Sequence, residues 1–418
     1  MDFQFLQELL SIDSTSGKER KVAEWLAGRL PGMFPAANQP ALRVDEVGDG
    51  TLNLLLTWGT PRIVFCSHLD TVPPYIPPIF PEGVFLSEPS LRNPSQGKPW
   101  APPSYVAEGG HRFGEEHPLR NDADAQIKGR GSCDAKGQVF AIVEACKRLA
   151  EAGKTDFGML LLAGEETGSW GAKAFAKTDF RAEYLVVGEP TDNCMVSASK
   201  GTKSFDLKFT GEPFHSGYPQ YGVSAVDLFV EFVNALKAKD FGMDPILGET
   251  TWNIGLVHSD NPQNILSPEL TCRLYFRTTF VSDEAVCKWM EEAPGLLKDG
   301  RSEPAMTTSG IPGLTSSVIP DLSSPVIPGL TGNLAVTPRG GDTPARYWTV
   351  EDLPSKSVAF GSDAPHLKNF THKAICGPGS ITVAHRDDEC VRVSDLATAV
   401  EQYLTLYSAA MSTAEGTK

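Results

Sequence analysis

The chain has 418 residues, with 37 Lys plus Arg against 52 Asp plus Glu, a formal net charge of −15 and a hydrophobic share of 41%. Its length exceeds what one core usually serves, so two domains are expected. The acidity argues against nucleic acid and anionic membranes as partners, yet tolerates a small anionic substrate in a pocket holding divalent cations.

The N-terminal MDFQFLQELLSID has no basic segment leading into an apolar core, and no apolar run reaches membrane-spanning length, so a soluble, cytoplasmic protein is expected. Phe3, Leu6, Leu9 and Leu10 share one helical face. After STSG, the Ser16 to Glu19 spacing matches a capping box ahead of a second helix carrying Val22, Trp25, Leu26 and Leu30. Strands are expected at TLNLLLTW and RIVFCSH. Residues 75 to 126 are rich in proline and glycine with little periodicity, which reads as a long loop. In residues 137 to 150, Val139, Ile142, Val143 and Cys146 form one stripe, placing Asp134 just before a helix N-terminus. The strand GMLLLAG, a helix around WGAKAFAKT and the strand EYLVVG follow. Wholly apolar short strands alternating with helices predict an α/β fold, a mostly parallel sheet with helices on both faces.

Near residue 196 the pattern changes. FDLKFTG alternates like a half-exposed strand, SAVDLFVEFVNALKA is an amphipathic helix, and TWNIGLVHS and LTCRLYFRTTF read as strands, the content of a smaller α+β domain. The reading is a catalytic domain over 1–195, a lid or dimerisation domain over 196–298, and the rest of the catalytic domain over 299–418. IPGLT, IPDLS and IPGLT recur at 311, 319 and 327, and proline in every unit predicts a surface insertion at about 303–345. Order resumes at SVAFGSDAPHL and KAICGPGSITVAH, before a helix at about Ser394 to Met411.

Ligands of open α/β sheets gather beyond the carboxyl ends of the strands. His68 follows RIVFCS, Glu165 and Glu166 follow MLLLA, and Glu189 follows YLVV. One such residue means little; several at one edge point to a two-metal hydrolytic site, with Asp134 and a late His385 completing the set. Asp70, two residues after His68, is placed to accept from the imidazole nitrogen not used for metal. Adjacent carboxylates point in different directions, so one of Glu165 and Glu166 can bind metal while the other moves a proton. GRGSCDAKG could also cradle phosphate, but it lacks the GKS or GKT ending of a P-loop. The eight cysteines show no CxxC pair or dense spacing, which argues against a disulfide scaffold or a thiolate zinc site.

SHLDTVP, GRGSCDAKG, AGEETGS, VGEPT, GEPFHSGYPQYGVSA, FGSDAPHL and GPGSITVAHRDDE resemble the metallopeptidase and deacylase family that contains acetylornithine deacetylase, succinyl-diaminopimelate desuccinylase, aminoacylase and glutamate carboxypeptidase. The resemblance implies two divalent metal ions, zinc first and cobalt as the alternative. His68 and Glu189 would hold one ion, Glu166 and His385 the other, with Asp134 bridging, Asp70 orienting His68 and Glu165 as general base. It further implies that His215 stabilises the oxyanion, that Arg277 and Asn264 lie near the substrate carboxylate, and that the lid domain forms a homodimer. The family commonly has an acid where Tyr275 stands here. Gly377 and Gly379 would let the backbone approach the substrate, or form a turn.

Glu189 and the GPGS string resemble the deacetylase and desuccinylase branch, so the expected reaction is hydrolysis of an N-acyl amino acid, acetylornithine-like, in arginine biosynthesis. A dipeptidase or carboxypeptidase acting on peptides is the alternative within the family. Cysteine-nucleophile hydrolysis through Cys66 or Cys133 and a non-catalytic metal-dependent binding protein are the rivals of other classes.

Overall fold

A computed structural model describes residues 1–81, 125–296 and 332–412. The chain divides into two compact units: Met1–Val196 with Tyr347–Lys356 and Ser362–Lys418, and Ser197–Arg346 with Ser357–Gly361.

The sheet of the first unit is built around central, largely apolar strands that leave no side for water. Ile63–His68 is buried throughout and lies centrally, flanked in parallel by Asp156–Leu162 and Ala182–Val187. Phe370–Ile375 adds to Ala182–Val187 in parallel, while Thr51–Gly59 and then Ala41–Val47 extend the other side antiparallel. The sheet is therefore mixed and mostly parallel, with an edge strand, Ala41–Val47, that sequence pattern did not reveal because most of its residues are exposed.

Alternation along the strands assigns the two faces. Phe65, Phe157, Met159, Leu161 and Val186 meet helices Lys136–Glu151 and Val393–Ser412, with Phe65 against Tyr403 at 5.6 Å between ring centroids. Lys136–Glu151 is buried nearly all round, as expected of a helix held between a sheet and other helices. Phe3–Leu10 and Arg20–Arg29 complete that layer, Phe5 stacking on Trp25. On the opposite face the short helix Trp170–Phe175 is tied to the sheet by Asn53, which donates to the Gly171 carbonyl and accepts from the Ala163 amide. The expected capping box is not formed. Glu19 caps Arg20–Arg29 without a side-chain bond, and the Ser16 hydroxyl donates to Asp70 Oδ2 at 2.9 Å instead.

The second unit contains an antiparallel four-stranded sheet in the order Thr251–His258, Glu269–Thr278, Gly201–Thr210, Asn333–Gly340. Helix Ala225–Ala238, N-capped by Ser224, buries Leu228, Phe232 and Leu236 in the core it shares with Asp283–Leu296. Asn333–Gly340 corrects the expected boundaries. This strand lies within the span assigned to the insertion, yet it pairs with Gly201–Thr210, so the second unit runs to Arg346 rather than ending at 298. Residues 303–331 of the expected insertion, and most of the 75–126 tract, lie outside the described residues.

Candidate metal centre

Three adjacent parallel strands deliver the site at their carboxyl ends. His68 is the last residue of Ile63–His68, Glu165 and Glu166 form the turn beyond Asp156–Leu162, and Glu189 follows Ala182–Val187. Asp134 comes from the turn before Lys136–Glu151, and His385 from the segment after Phe370–Ile375.

Asp134 sits between two histidines. Its Oδ1 is 3.1 Å from His68 Nε2, and its Oδ2 is 3.4 Å from His385 Nε2, which also lies 3.0 Å from Glu166 Oε1. His68, Asp134 and Glu166 each present a ligand atom, all within 4.8 Å of one another. His385 holds a left-handed φ of +64°, which costs a side-chain-bearing residue about 1–2 kcal/mol. Its side chain is 50% exposed, so the cluster opens to solvent on this side.

Asp70 serves the site in two ways. Its backbone carbonyl is 2.9 Å from His68 Nδ1, so Nδ1 carries a proton and Nε2, which faces Asp134, is the nitrogen whose lone pair is freed for a cation when the ring is neutral. The Asp70 carboxylate is farther from that nitrogen, at 3.5 Å. It accepts instead from the backbone amides of Glu165 at 3.0 Å and Glu166 at 3.2 Å and so holds the turn carrying both acids.

The electrostatics are those of crowded carboxylates. Burial pushes the Glu165 carboxyl well above its ordinary pKa, with Asp363, Glu166 and Asp134 adding to the shift and His68 opposing it. Glu189 is raised by burial and then by Glu165. Asp363, in the FGSDAPHL string, is raised to about 6 by burial, with His68 pulling the other way. Burial would also raise Asp134, but its hydrogen bonds with His385 and His68 win and hold it low. The imidazoles answer in kind: Asp134 and Glu166 push His385 up to about 10, and on His68 the bonds to Asp134 and Asp70 outweigh the burial that opposes charge.

The donor set fits divalent cations. Six carboxyls, Asp70, Asp134, Glu165, Glu166, Glu189 and Asp363, face two imidazoles, and among the described residues Glu189 Oε1 and Asp363 Oδ1 are buried without a hydrogen-bond partner. Excess buried negative charge and orphaned acceptors are relieved by cations, and imidazole with carboxylate suits zinc. Thiol chemistry is disfavoured, since Cys66 and Cys133 are fully buried and burial holds both thiols well above the ordinary value.

Gly377 and Gly379 have structural reasons within the protein. A Cβ at Gly377 would lie 2.2 Å from Gln138 Oε1, and Gly379, at φ +76°, would meet Cys133 Sγ at 2.6 Å.

His215, Asn264 and Arg277 belong to the second unit. His215 bridges to Ile265, and the Ser216 amide donates to the Asn264 carbonyl at 2.9 Å, so His215 and Asn264 are neighbours. The Gly217 amide donates to His215 Nδ1 at 3.1 Å, so Nδ1 is the acceptor and the ring N–H lies on Nε2. Arg277 lies over the Tyr275 ring, 5.1 Å from its centroid.

A mixed sheet with acids and histidines at its carboxyl edge in one unit, and an antiparallel sheet in the other, define a metallohydrolase of the two-domain peptidase type. Residues 110–335 match the model of peptidase family M20/M25/M40, and the chain belongs to that family. A relative described as a probable carboxypeptidase, from Aspergillus terreus, is 29% identical over 97% of this chain and 86% of its own length. Among solved structures, a tripeptidase from Staphylococcus aureus shares the fold at TM-score 0.67, with 18% identity, covering 96% of this chain and 95% of that one. A Bacillus subtilis protein described as a dinuclear metal binding peptidase of the M20 family does so at TM-score 0.56, with 8% identity, covering 96% and 94%.

Proposed function

We propose that this protein is a metallocarboxypeptidase that removes the C-terminal residue from short peptides. The observation that carries the chemistry is the Asp134 carboxylate set between His68 and His385, with Glu166 on the second histidine. Support for the substrate class comes from the Aspergillus terreus relative, matched along nearly the whole chain, and from further relatives of Aspergillus clavatus and Aspergillus niger that carry the same description. The acetylornithine-type deacetylation expected from the sequence, with its place in arginine biosynthesis, finds no such support among them and gives way to the peptidase reading.

His68 and Glu189 are proposed to hold one cation, Glu166 and His385 the other, with Asp134 shared. When bound, the two ions supply Lewis acidity toward the scissile carbonyl and the attacking water. Glu165 is the base: enclosure among other carboxyls raises its proton affinity, so it can take a proton from water and hand it to the departing amine. His215, with its proton on Nε2, donates to the developing oxyanion. Arg277, steadied by Tyr275, and Asn264 receive the substrate's terminal carboxylate.

The second unit is also proposed to pair two copies. Its edge strand Thr251–His258 carries Leu256 and Val257, 71% and 53% exposed, and helix Ala225–Ala238 exposes Val226 and Val230.

A panel of peptides tests the substrate. N-blocked dipeptides with a free carboxylate should be cleaved and their C-terminal amides should not. Cleavage of free dipeptides alone would make the protein a dipeptidase, and cleavage of N-acetyl amino acids alone would restore the deacylase reading.

A further inference from the structure

Glu389, at the end of the GPGSITVAHRDDE string, is fully buried and takes no part in the chemistry above. Its Oε1 accepts three backbone amides of the turn that carries Asp134: Gly131 at 2.9 Å, Cys133 at 3.0 Å and Asp134 itself at 3.0 Å. Its Oε2 accepts from Arg130 Nη1 at 2.6 Å, and its own carbonyl accepts from the Gly129 amide at 3.0 Å. Arg130 is 1% exposed and also donates to the carbonyls of Pro74 and Arg386. Every oxygen of Glu389 thus ends on the 129–134 turn.

Convergent amides form a cradle for negative charge, and here the charge is a side chain of the protein. With its amide aimed at Glu389, Asp134 has its backbone fixed from one side, while its carboxylate emerges between His68 and His385. Glu389 also follows His385 by four residues, so one side chain ties the segment bearing the second histidine to the turn bearing the shared carboxylate. A burial this complete would be costly if the carboxylate merely filled space, because an ion pair in the interior is often no better than apolar packing.

We propose that Glu389 is a positioning residue, whose carboxylate holds the Gly131–Asp134 turn in its cation-binding shape before any cation arrives. Arg130 neutralises the charge and contributes to stability, whereas the hold on Asp134 passes through Oε1. This rests on the dinuclear reading of the site. Partners that orient a ligand are typically worth about 10–100-fold in metal affinity, and that is the loss expected of Glu389→Gln, in which an amide NH2 must face either the three N–H donors or Arg130.

The test uses the full-length protein, freed of metal and titrated with zinc against a chromophoric chelator, with thermal unfolding and amide exchange followed in parallel. Wild type should take up two zinc ions per chain and protect the Gly131, Cys133 and Asp134 amides even without metal. Glu389→Gln should bind zinc about 10–100-fold more weakly and lose that protection. Arg130→Gln, which leaves Oε1 on its amides, should lower the unfolding temperature but keep zinc affinity within threefold. Equal destabilisation by both variants with unchanged zinc affinity would reduce Glu389 to scaffold and overturn the proposal. Should Glu389→Gln not fold, wild type decides alone: amides protected only after zinc is added would show that the cation, and not Glu389, shapes the turn. Failure of wild type to bind zinc at all would sink the dinuclear reading and this proposal with it, a result distinguishable from normal binding that is insensitive to Glu389.

Discussion

Replacing Asp70 by Asn separates two jobs that one residue performs. The bond from His68 Nδ1 goes to the Asp70 backbone carbonyl at 2.9 Å and survives the substitution, so the imidazole keeps its tautomer. The carboxylate's bonds do not all survive. With the Asn oxygen in the Oδ2 position, the Ser16 hydroxyl and the Glu166 amide remain paired, but the Glu165 amide then faces an NH2 group. A buried donor left without an acceptor costs about 1–3 kcal/mol, and the turn bearing Glu165 relieves that cost by moving. Displacement of a catalytic group by about 1 Å can lower turnover about 10²-fold. Asp70→Asn is therefore expected to retain two metals per chain by elemental analysis, to lose about 10²-fold in kcat on an N-blocked dipeptide, and to unfold about 1–3 kcal/mol more easily in denaturant as the apo protein. The stability gap has a pH signature. In the apo protein burial works to raise the Asp70 pKa, but the attraction of the nearby His68 imidazole and the hydrogen bonds from Ser16 and Glu165 outweigh it and hold it below the ordinary value. The carboxylate's contribution is thus present above the unfolded pKa and disappears as pH falls through the folded one, so wild type and variant should converge in acid. A kcat within threefold of wild type, or loss of metal from the variant, would refute the division of labour.

Glu165→Gln should keep both metals and lose about 10²–10⁴-fold in kcat; loss of metal would mark Glu165 as a ligand instead. His215→Ala should lower kcat about 10²–10³-fold with KM little changed, and unchanged turnover would reduce His215 to a turn residue. Gly377→Ala places a methyl against Gln138 Oε1 and the Glu189 carbonyl, 2.2 and 2.7 Å away. It should destabilise the first unit by about 1–3 kcal/mol, and unfolding indistinguishable from wild type would show that Gln138 moves aside freely. Chelation should abolish activity, and zinc restored at 100 times its Kd should stabilise the protein by about 2.7 kcal/mol in denaturant titration; full activity without metal would dismiss the site.

Much of the fold was legible because its signals are local. The runs at 63–66, 157–162 and 184–187 are apolar and buried throughout, and only a strand covered on both faces tolerates that. The exposed edge strand Ala41–Val47 had no such signature. Asn333–Gly340 was absorbed into a proline-rich stretch, although its pairing with Gly201–Thr210 makes it part of the second unit's sheet. Membership of the family was readable from motif strings spread along the chain. Choosing among its substrates was not, because carboxypeptidases, dipeptidases and deacylases share the metal chemistry and differ in contacts that no short motif encodes.

Sequence alone singled out His68, Glu165, Glu166 and Glu189 as candidates, since a strand's end and the residues just past it are fixed by neighbours a few positions away, but it did not single out Asp363, which only the fold brings to the cluster. Which group each buried carboxylate answers was decided only in three dimensions. Asp70 turned from His68 to the amides of Glu165 and Glu166, Ser16 left its helix for Asp70, and Glu389 reached back more than 250 residues to the turn before Asp134. A hydrogen bond is made at about 3 Å between whatever groups the packing of distant segments brings together, and periodicity along a chain carries no record of that distance.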